Sequence, residues 1–256
     1  MNIRLAWRFA RILLHLAEGL AKCAFMFPWA SPALRMRLTR GWSRRLLGIC
    51  GVTLRELPGA PVLGHALVVA NHVSWLDIFV INSVHPSRFV AKSEIRQWPV
   101  LGWLVAMAGT VFIARGNRRD LRHIFKGLVA SLHTGERVAF FPEGTTAAQG
   151  QVLPFHANLF EAAVDAKVMV QPYALRYVDR AGAWHPAADF TGDTTFAQSV
   201  MAILRADGME AQLAALEPID ATGAHRRELA QAAHDAVARA LGTVPRSLAS
   251  STDNIG

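Results

Sequence analysis

Cysteine is scarce, with two in 256 residues. Cys23 and Cys50 lie far apart and outside any ligand-type cluster, which argues against a disulfide scaffold and a zinc site. A reducing compartment is compatible with this. Charged residues are also sparse, at 18% against 52% hydrophobic, a balance that suits one large domain with a sizeable core. The chain has no Walker-type phosphate loop, no Gly-x-Ser-x-Gly nucleophile elbow and no internal repeat.

Acids are nearly missing from the first fifty residues. Glu18 stands alone against Arg4, Arg8, Arg11, Lys22, Arg35, Arg37, Arg40, Arg44 and Arg45, giving 9 − 1 = +8, the net charge of the whole chain. Arg4, Arg8, Arg11, His15, Glu18 and Lys22 recur at steps of three and four, drawing one polar stripe along an otherwise apolar helix. Charges through its middle argue against a spanning helix, which needs about 20 mainly apolar residues, and break the apolar region of a signal peptide. Pro28 and Pro32 end this helix, and a second basic segment with Trp42, Leu46, Leu47 and Ile49 follows. A basic helix with a wide apolar face reads as lying in the interface of an anionic membrane. The alternatives are a helical pair packed on the protein's own core and a nucleic-acid surface. So much Leu and Phe suits lipid better than phosphate tracking.

From Gly51 onward, short β-rich runs alternate with helical segments, which predicts an α/β domain. Strands are expected at Val52–Leu57, Ala66–Ala70, Arg88–Lys92, Thr110–Arg115, Arg137–Phe141, Val168–Val178 and Met209–Leu216. Helices are expected at Asp120–Leu132, Asn158–Ala166, Thr195–Arg205 and Ala224–Leu241. Pro99–Ala108 reads as a short helix or a membrane-facing loop. The organisation is then a membrane-associating helical segment (1–50), a main domain (51–241) and a disordered tail (242–256).

The central stretch is Asn71-His72-Val73-Ser74-Trp75-Leu76-Asp77, between the apolar run Ala66–Ala70 and the helical run Ile78–Ile81. A histidine at a strand-to-helix turn with an aspartate five residues on suits a general base and its orienting carboxylate. On a continuous helix those positions lie about 140° apart. The two meet only if His72 precedes the helix and Asp77 opens it. Ser74-x-x-Asp77 is also a capping-box pattern, which explains both residues without chemistry. His72, Arg115 and Glu143 each follow an apolar β-run, and ligands of open α/β sheets bind at the strands' carboxyl ends. His156 and Glu161 share the five-residue spacing but read as structural. Trp98 and Trp103 suit an acyl tunnel, the core or a membrane contact equally.

Four blocks, in order across residues 66–175, resemble the glycerolipid acyltransferase family. They are Asn71-His72-x-Ser74-Trp75-x-Asp77, Gly109-Thr-Val-Phe112-Ile-Ala-Arg115, Phe141-Pro142-Glu143-Gly144-Thr145 and Val170-Gln-Pro172. The resemblance implies a mixed central sheet flanked by helices, with the basic N-terminal helical pair at the membrane. It also implies a membrane-associated O-acyltransferase on the cytoplasmic face of the inner membrane, peripheral or monotopic. The acyl group passes from acyl-CoA or acyl-carrier protein to a lysophospholipid, with no cofactor, no metal and no nucleic-acid partner. His72 is the base and Asp77 fixes its tautomer. Glu143 positions the acceptor, and backbone amides around Gly144 and Thr145 stabilise the oxyanion. Arg115 and Lys92 meet the acceptor phosphate. Lysophosphatidic acid is the leading acceptor. One departure bears on the acceptor: Thr146 follows Thr145 where lysophosphatidic acid enzymes usually have arginine, which removes a phosphate contact. The run Phe141–Thr146 with Val152-Leu153-Pro154-Phe155 resembles members that acylate other lysolipids, lyso-ornithine lipid being the runner-up acceptor. The rival classes are a hydrolase that activates water with His72 and Asp77, and a membrane-binding protein without chemistry.

Overall fold

A computed structural model describes residues 3–97, 101–107, 109–113 and 118–242. Its strands are β1 (Val52–Glu56), β2 (Ala66–Ala70), β3 (Arg88–Lys92), β4 (Val111–Ile113), β5 (Arg137–Phe140), β6 (Val170–Val178) and β7 (Met209–Ala215). They form a seven-stranded mixed sheet in the order β1-β7-β6-β2-β5-β3-β4, parallel except between β6 and β7. The helices are α1 (Ile3–Phe25), α2 (Pro32–Cys50), α3 (Asp77–Val84), α4 (Leu101–Met107), α5 (Arg118–His133), α6 (Glu161–Ala166), α7 (Phe196–Arg205) and α8 (Arg226–Leu241).

All five residues of β2 are buried, as expected for a strand covered on both faces. Side chains alternate across it. Val68 and Ala70 join Tyr173, Leu175 and Leu213 against α2, α3 and α7. Leu67 and Val69 join Val138, Phe140 and Val170 against α5, α6 and α8. The expected elements are present with small shifts at their ends. Residues 157–160 tighten into a 3-10 turn before α6. β6 starts at Val170 rather than Val168, because Lys167 turns left-handed and the Val168 N–H closes α6 on Ala163 O. The stretch read as helix or loop is helix α4, while Trp98 and Arg115 lie outside the described residues.

The N-terminal helices are joined to each other by a reciprocal pair. The Trp42 indole N–H donates to His15 O at 3.1 Å, His15 Nε2 meets Trp42 O at 3.0 Å, and the rings stack 4.4 Å apart. Much of the basic charge binds the protein itself. Arg8 donates to Leu204 O and Ala206 O at the end of α7, while Arg40 and Arg44 donate to Val84 O and Ser83 O at the end of α3. Guanidiniums at helix carboxyl ends satisfy orphan carbonyls and complement the dipole. Arg4 pairs with Asp207, while Lys22 and Arg45 share Glu18. Arg11, Arg35 and Arg37 are exposed with no ion pair among the described residues, and Arg35 lies over the Phe27 ring. The face of α1 turned away from the protein is apolar, with Ile3, Trp7, Leu14 and Phe25 exposed, and Trp29 follows at 90% exposure. Among the described residues no helix is long and apolar enough to cross a membrane.

His85, which caps α3, is buried edge-on to Tyr173, with Nε2 3.1 Å from Glu56 Oε1. Burial, then Arg137 and Arg40, pushes it from 6.5 down to about 4, outweighing the half-exposed Glu56. The unfolded chain therefore takes up a proton near pH 6.5 that the folded chain accepts only near 4. Stability falls as pH drops through that window, by up to ~3 kcal/mol. Urea unfolding between pH 7 and 4 is expected to show a shallower acid loss for His85→Phe than for wild type. Equal slopes would refute this account of His85.

Candidate active site

β2 and β5 are parallel neighbours, with Val69 opposite Phe140, so the loops that leave their carboxyl ends emerge side by side. Asn71 anchors the first loop. Its side-chain amide donates to Leu175 O at 2.8 Å and accepts from Leu175 N at 2.9 Å, extending the sheet by one side chain. The turn that follows delivers the chain into α3, whose first residue is Asp77.

The Asp77 carboxylate reaches back over this turn. Its Oδ2 accepts from the N–H groups of Val73 at 2.7 Å and Ser74 at 3.0 Å, and from His72 Nδ1 at 2.8 Å. His72 thus precedes the helix and Asp77 opens it, the only arrangement that joins residues five apart. The capping pattern is half realised. The acid accepts the Ser74 N–H, while the Ser74 hydroxyl accepts from Leu76 N at a long 3.4 Å. One carboxylate therefore both starts the helix and orients the imidazole.

Asp77 is fully buried, and its second oxygen, Oδ1, accepts the Tyr177 hydroxyl at 2.6 Å. Burial and the adjacent Asp77 push the Tyr177 phenol well above its usual range, so it remains a donor. A carboxylate can only accept, so Nδ1 of His72 carries the hydrogen and Nε2 keeps its lone pair. Among the described residues Nε2 has no hydrogen-bond partner, and the side chain is 19% exposed. The ring stacks on Phe141 at 4.0 Å and 7°, which limits its tilt.

Glu143 braces the same turn from the β5 loop. It is 4% exposed, and its two oxygens accept from His72 N at 2.7 Å and Leu153 N at 2.8 Å. Burial drives it up to about 7, against the two backbone hydrogen bonds that favour its charge, and nearby Asp77 adds to the rise. The carboxylate expected to touch the acceptor is turned inward and holds backbone. Gly144 sits at φ +69°, and a Cβ there would meet the exposed His156 ring at 3.4 Å. Its N–H donates to Phe141 O within the turn, which removes it from the expected oxyanion donors. Thr145 is exposed, and its N–H has no acceptor among the described residues.

Thr146 donates its hydroxyl to Phe190 O, while Phe190 N donates to Val73 O and Ala147 N to His72 O. These bonds lash the loop around Phe190 to the histidine turn. Arg115 lies outside the described residues, and of Lys92 only the backbone, at the end of β3, is described. His156 and Glu161 do not pair. Glu161 faces Arg226 at 3.5 Å. Among the described residues no three His, Cys, Asp or Glu side chains gather as metal ligands. The sequence reading assigned no role to Tyr177, Phe141 or Phe190. Strand alternation puts Tyr177 on the face of Leu175 and Tyr173, but a contact across 100 residues leaves no local pattern.

The family model described as acyltransferase matches residues 52–176. The lyso-ornithine lipid O-acyltransferase of Pseudomonas aeruginosa is 40% identical over 249 residues, covering 94% of each chain. The 1-acyl-sn-glycerol-3-phosphate acyltransferase of Neisseria gonorrhoeae is 50% identical over 127 residues, 48% of this chain and 50% of that one. The crystal structure of the 1-acyl-sn-glycerophosphate acyltransferase PlsC from Thermotoga maritima has the same fold, with a TM-score of 0.68 over 94% of each chain at 21% identity. With the His72–Asp77 turn at the carboxyl edge of a mixed sheet and a relative of this identity along nearly its full length, the chain belongs to the glycerolipid acyltransferase family.

Proposed function

We propose that this enzyme transfers a fatty acyl group from acyl-CoA or acyl-carrier protein to the free hydroxyl of a lysolipid at a membrane surface, with lyso-ornithine lipid as its acceptor. The observation that carries the reading is the imidazole of His72, held by Asp77 through Nδ1 while Nε2 has no hydrogen-bond partner among the described residues. His72 Nε2 takes the proton of the acceptor hydroxyl as its oxygen attacks the thioester carbonyl. The tetrahedral intermediate collapses, the carbon–sulfur bond breaks and the new ester remains. The imidazolium returns its proton to the departing thiolate. Asp77 stabilises the imidazolium between these steps. The Thr145 N–H is one available oxyanion donor of the β5 loop. Glu143 keeps the base in place by holding its backbone.

Two observations favour lyso-ornithine lipid over lysophosphatidic acid. Thr146 stands where the resemblance to lysophosphatidic acid enzymes implies an arginine, and its hydroxyl donates to Phe190 O. Relatives named for lyso-ornithine lipid match along most of the chain, those from Pseudomonas aeruginosa and Brucella abortus over 94% and 83% of it, whereas the gonococcal glycerophosphate enzyme matches 48%. The second reading, lysophosphatidic acid, draws on that relative's 50% identity over 127 residues. In that reading Arg115 and Lys92 meet the phosphate.

The membrane reading rests on the outward face of α1 and on Trp29. Each apolar side chain moved from water into lipid is worth roughly 1.5–3 kcal/mol at full burial. Arg11, Arg35 and Arg37 add roughly 1 kcal/mol each beside anionic headgroups. We place the protein on the cytoplasmic face of the inner membrane, bound peripherally or monotopically.

Two predictions test these readings. With acyl-CoA and either lysolipid, product is expected from lyso-ornithine lipid, and His72→Ala is expected to lose roughly 10²–10⁴-fold in kcat. Product from lysophosphatidic acid alone would select the second reading, and undiminished transfer by His72→Ala would remove the base. In vesicle flotation, Trp7→Ser with Leu14→Ser is expected to weaken binding to neutral and anionic vesicles alike, by tenfold or more on the order of the burial above. Arg35→Gln with Arg37→Gln is expected to weaken only the anionic case. Wild-type flotation by the Trp7 and Leu14 variant would rule out α1 as the contact.

A further inference from the structure

We infer that Tyr177 is a positioning residue of the acyl-transfer site, whose hydroxyl sets how much charge Asp77 presents to His72 and so how firmly His72 holds a proton. This rests on the reading of His72 as the base.

The two oxygens of Asp77 are unequally supplied. Oδ2 accepts three hydrogen bonds, from His72, Val73 and Ser74, whereas Tyr177 is the sole donor to Oδ1 among the described residues. No solvent reaches either group, since Asp77 and Tyr177 are both fully buried. The phenol is held from behind. The Tyr177 N–H donates to Gln149 Oε1 at 2.7 Å, and its carbonyl accepts from His185 N at 3.0 Å. Gln149 is itself tied to His185 O and Asp189. The 2.6 Å contact is therefore a fixed, charge-assisted hydrogen bond in a water-free setting, where such bonds are strong.

Its chemical consequence follows from competition for one carboxylate. A donor on Oδ1 draws negative charge away from Oδ2 and weakens the pull of Asp77 on the imidazolium. The base of an acyl transfer must accept a proton and then give it up to the thiolate, so its proton affinity has to stay moderate. Tyr177 supplies that moderation from a position that touches no substrate. The other titratable groups nearby are Glu143, which holds the His72 backbone, and Cys50 of α2 near Tyr177, whose thiol burial pushes up to about 12.

The test compares wild type with Tyr177→Phe and with 3-fluorotyrosine introduced at position 177, whose more acidic hydroxyl is a stronger donor. The readouts are steady-state transfer and the titration of His72 itself, followed by ¹⁵N NMR with His72→Ala assigning the signal. That signal separates His72 from Glu143, whose carboxyl burial pushes up to about 7. Tyr177→Phe is expected to lower kcat about tenfold with the acceptor KM unchanged, and to move the His72 midpoint up by about one pH unit. Fluorotyrosine is expected to move the midpoint the opposite way. A midpoint common to all three proteins would overturn the inference even if kcat fell, because a merely structural tyrosine would give that result. Should Tyr177→Phe fail to fold, the nearly isosteric fluorotyrosine protein decides alone. Absence of transfer by wild type would refute the proposed function, while the His72 titration would still decide the role of Tyr177.

Discussion

The Asp77 carboxylate is the constraint on which the rest of the site depends. Burying an ionised carboxylate costs several kcal/mol unless each oxygen is supplied with donors. Here the supply comes from four directions: two backbone amides of the preceding turn, an imidazole and a phenol from a strand 100 residues away. Meeting that demand wraps the turn around the helix start and aims His72 outward. It also requires β6 to lie beside β2, because only that neighbour brings Tyr177 close enough.

The surrounding scaffold holds this arrangement from both ends. At the amino end of α3, Glu143 bridges the histidine turn to Leu153, while the loop around Phe190 is tied across it through Val73 and Thr146. At the carboxyl end, Arg40 and Arg44 of α2 bind the last carbonyls of the helix. The N-terminal helices are therefore part of the catalytic scaffold as well as the surface proposed to meet the bilayer. The division follows from helix geometry. One side of α1 packs inward through Leu5, His15 and Cys23, Arg4 and Arg8 bind the α7 end, and Trp7, Leu14 and Phe25 face out. An arginine that hydrogen-bonds a helix end is not available to a headgroup. The proposed lipid contact is accordingly more apolar than the charge count of residues 1–50 suggests.

Most secondary structure was legible because its causes are local. The buried run Ala66–Ala70, the prolines after α1 and the glycines at φ > 0 that follow α2 and α8 each act within a few residues. The His72–Asp77 pair was legible for the same reason, since a five-residue contact across a turn obeys a simple angular rule. Glu143 was expected to position the acceptor, whereas its carboxylate accepts hydrogen bonds from the His72 and Leu153 backbone. Spacing places it at the end of β5, but whether a carboxylate there faces substrate or backbone depends on Leu153, ten residues on.

The amino-acid sequence alone determined the alternation of strands and helices, the strand-end location of His72 and Glu143, and the basic apolar character of the first fifty residues. All of these follow from periodicity and short-range stereochemistry. Only the tertiary structure decided which groups complete the site. Tyr177 on Asp77, Phe141 under His72, Phe190 on Thr146 and the arginines on helix ends are contacts between distant segments, chosen by strand order and by the need of buried polar groups for partners. A chain read locally contains the donors and acceptors, and the sheet order assigns them to one another.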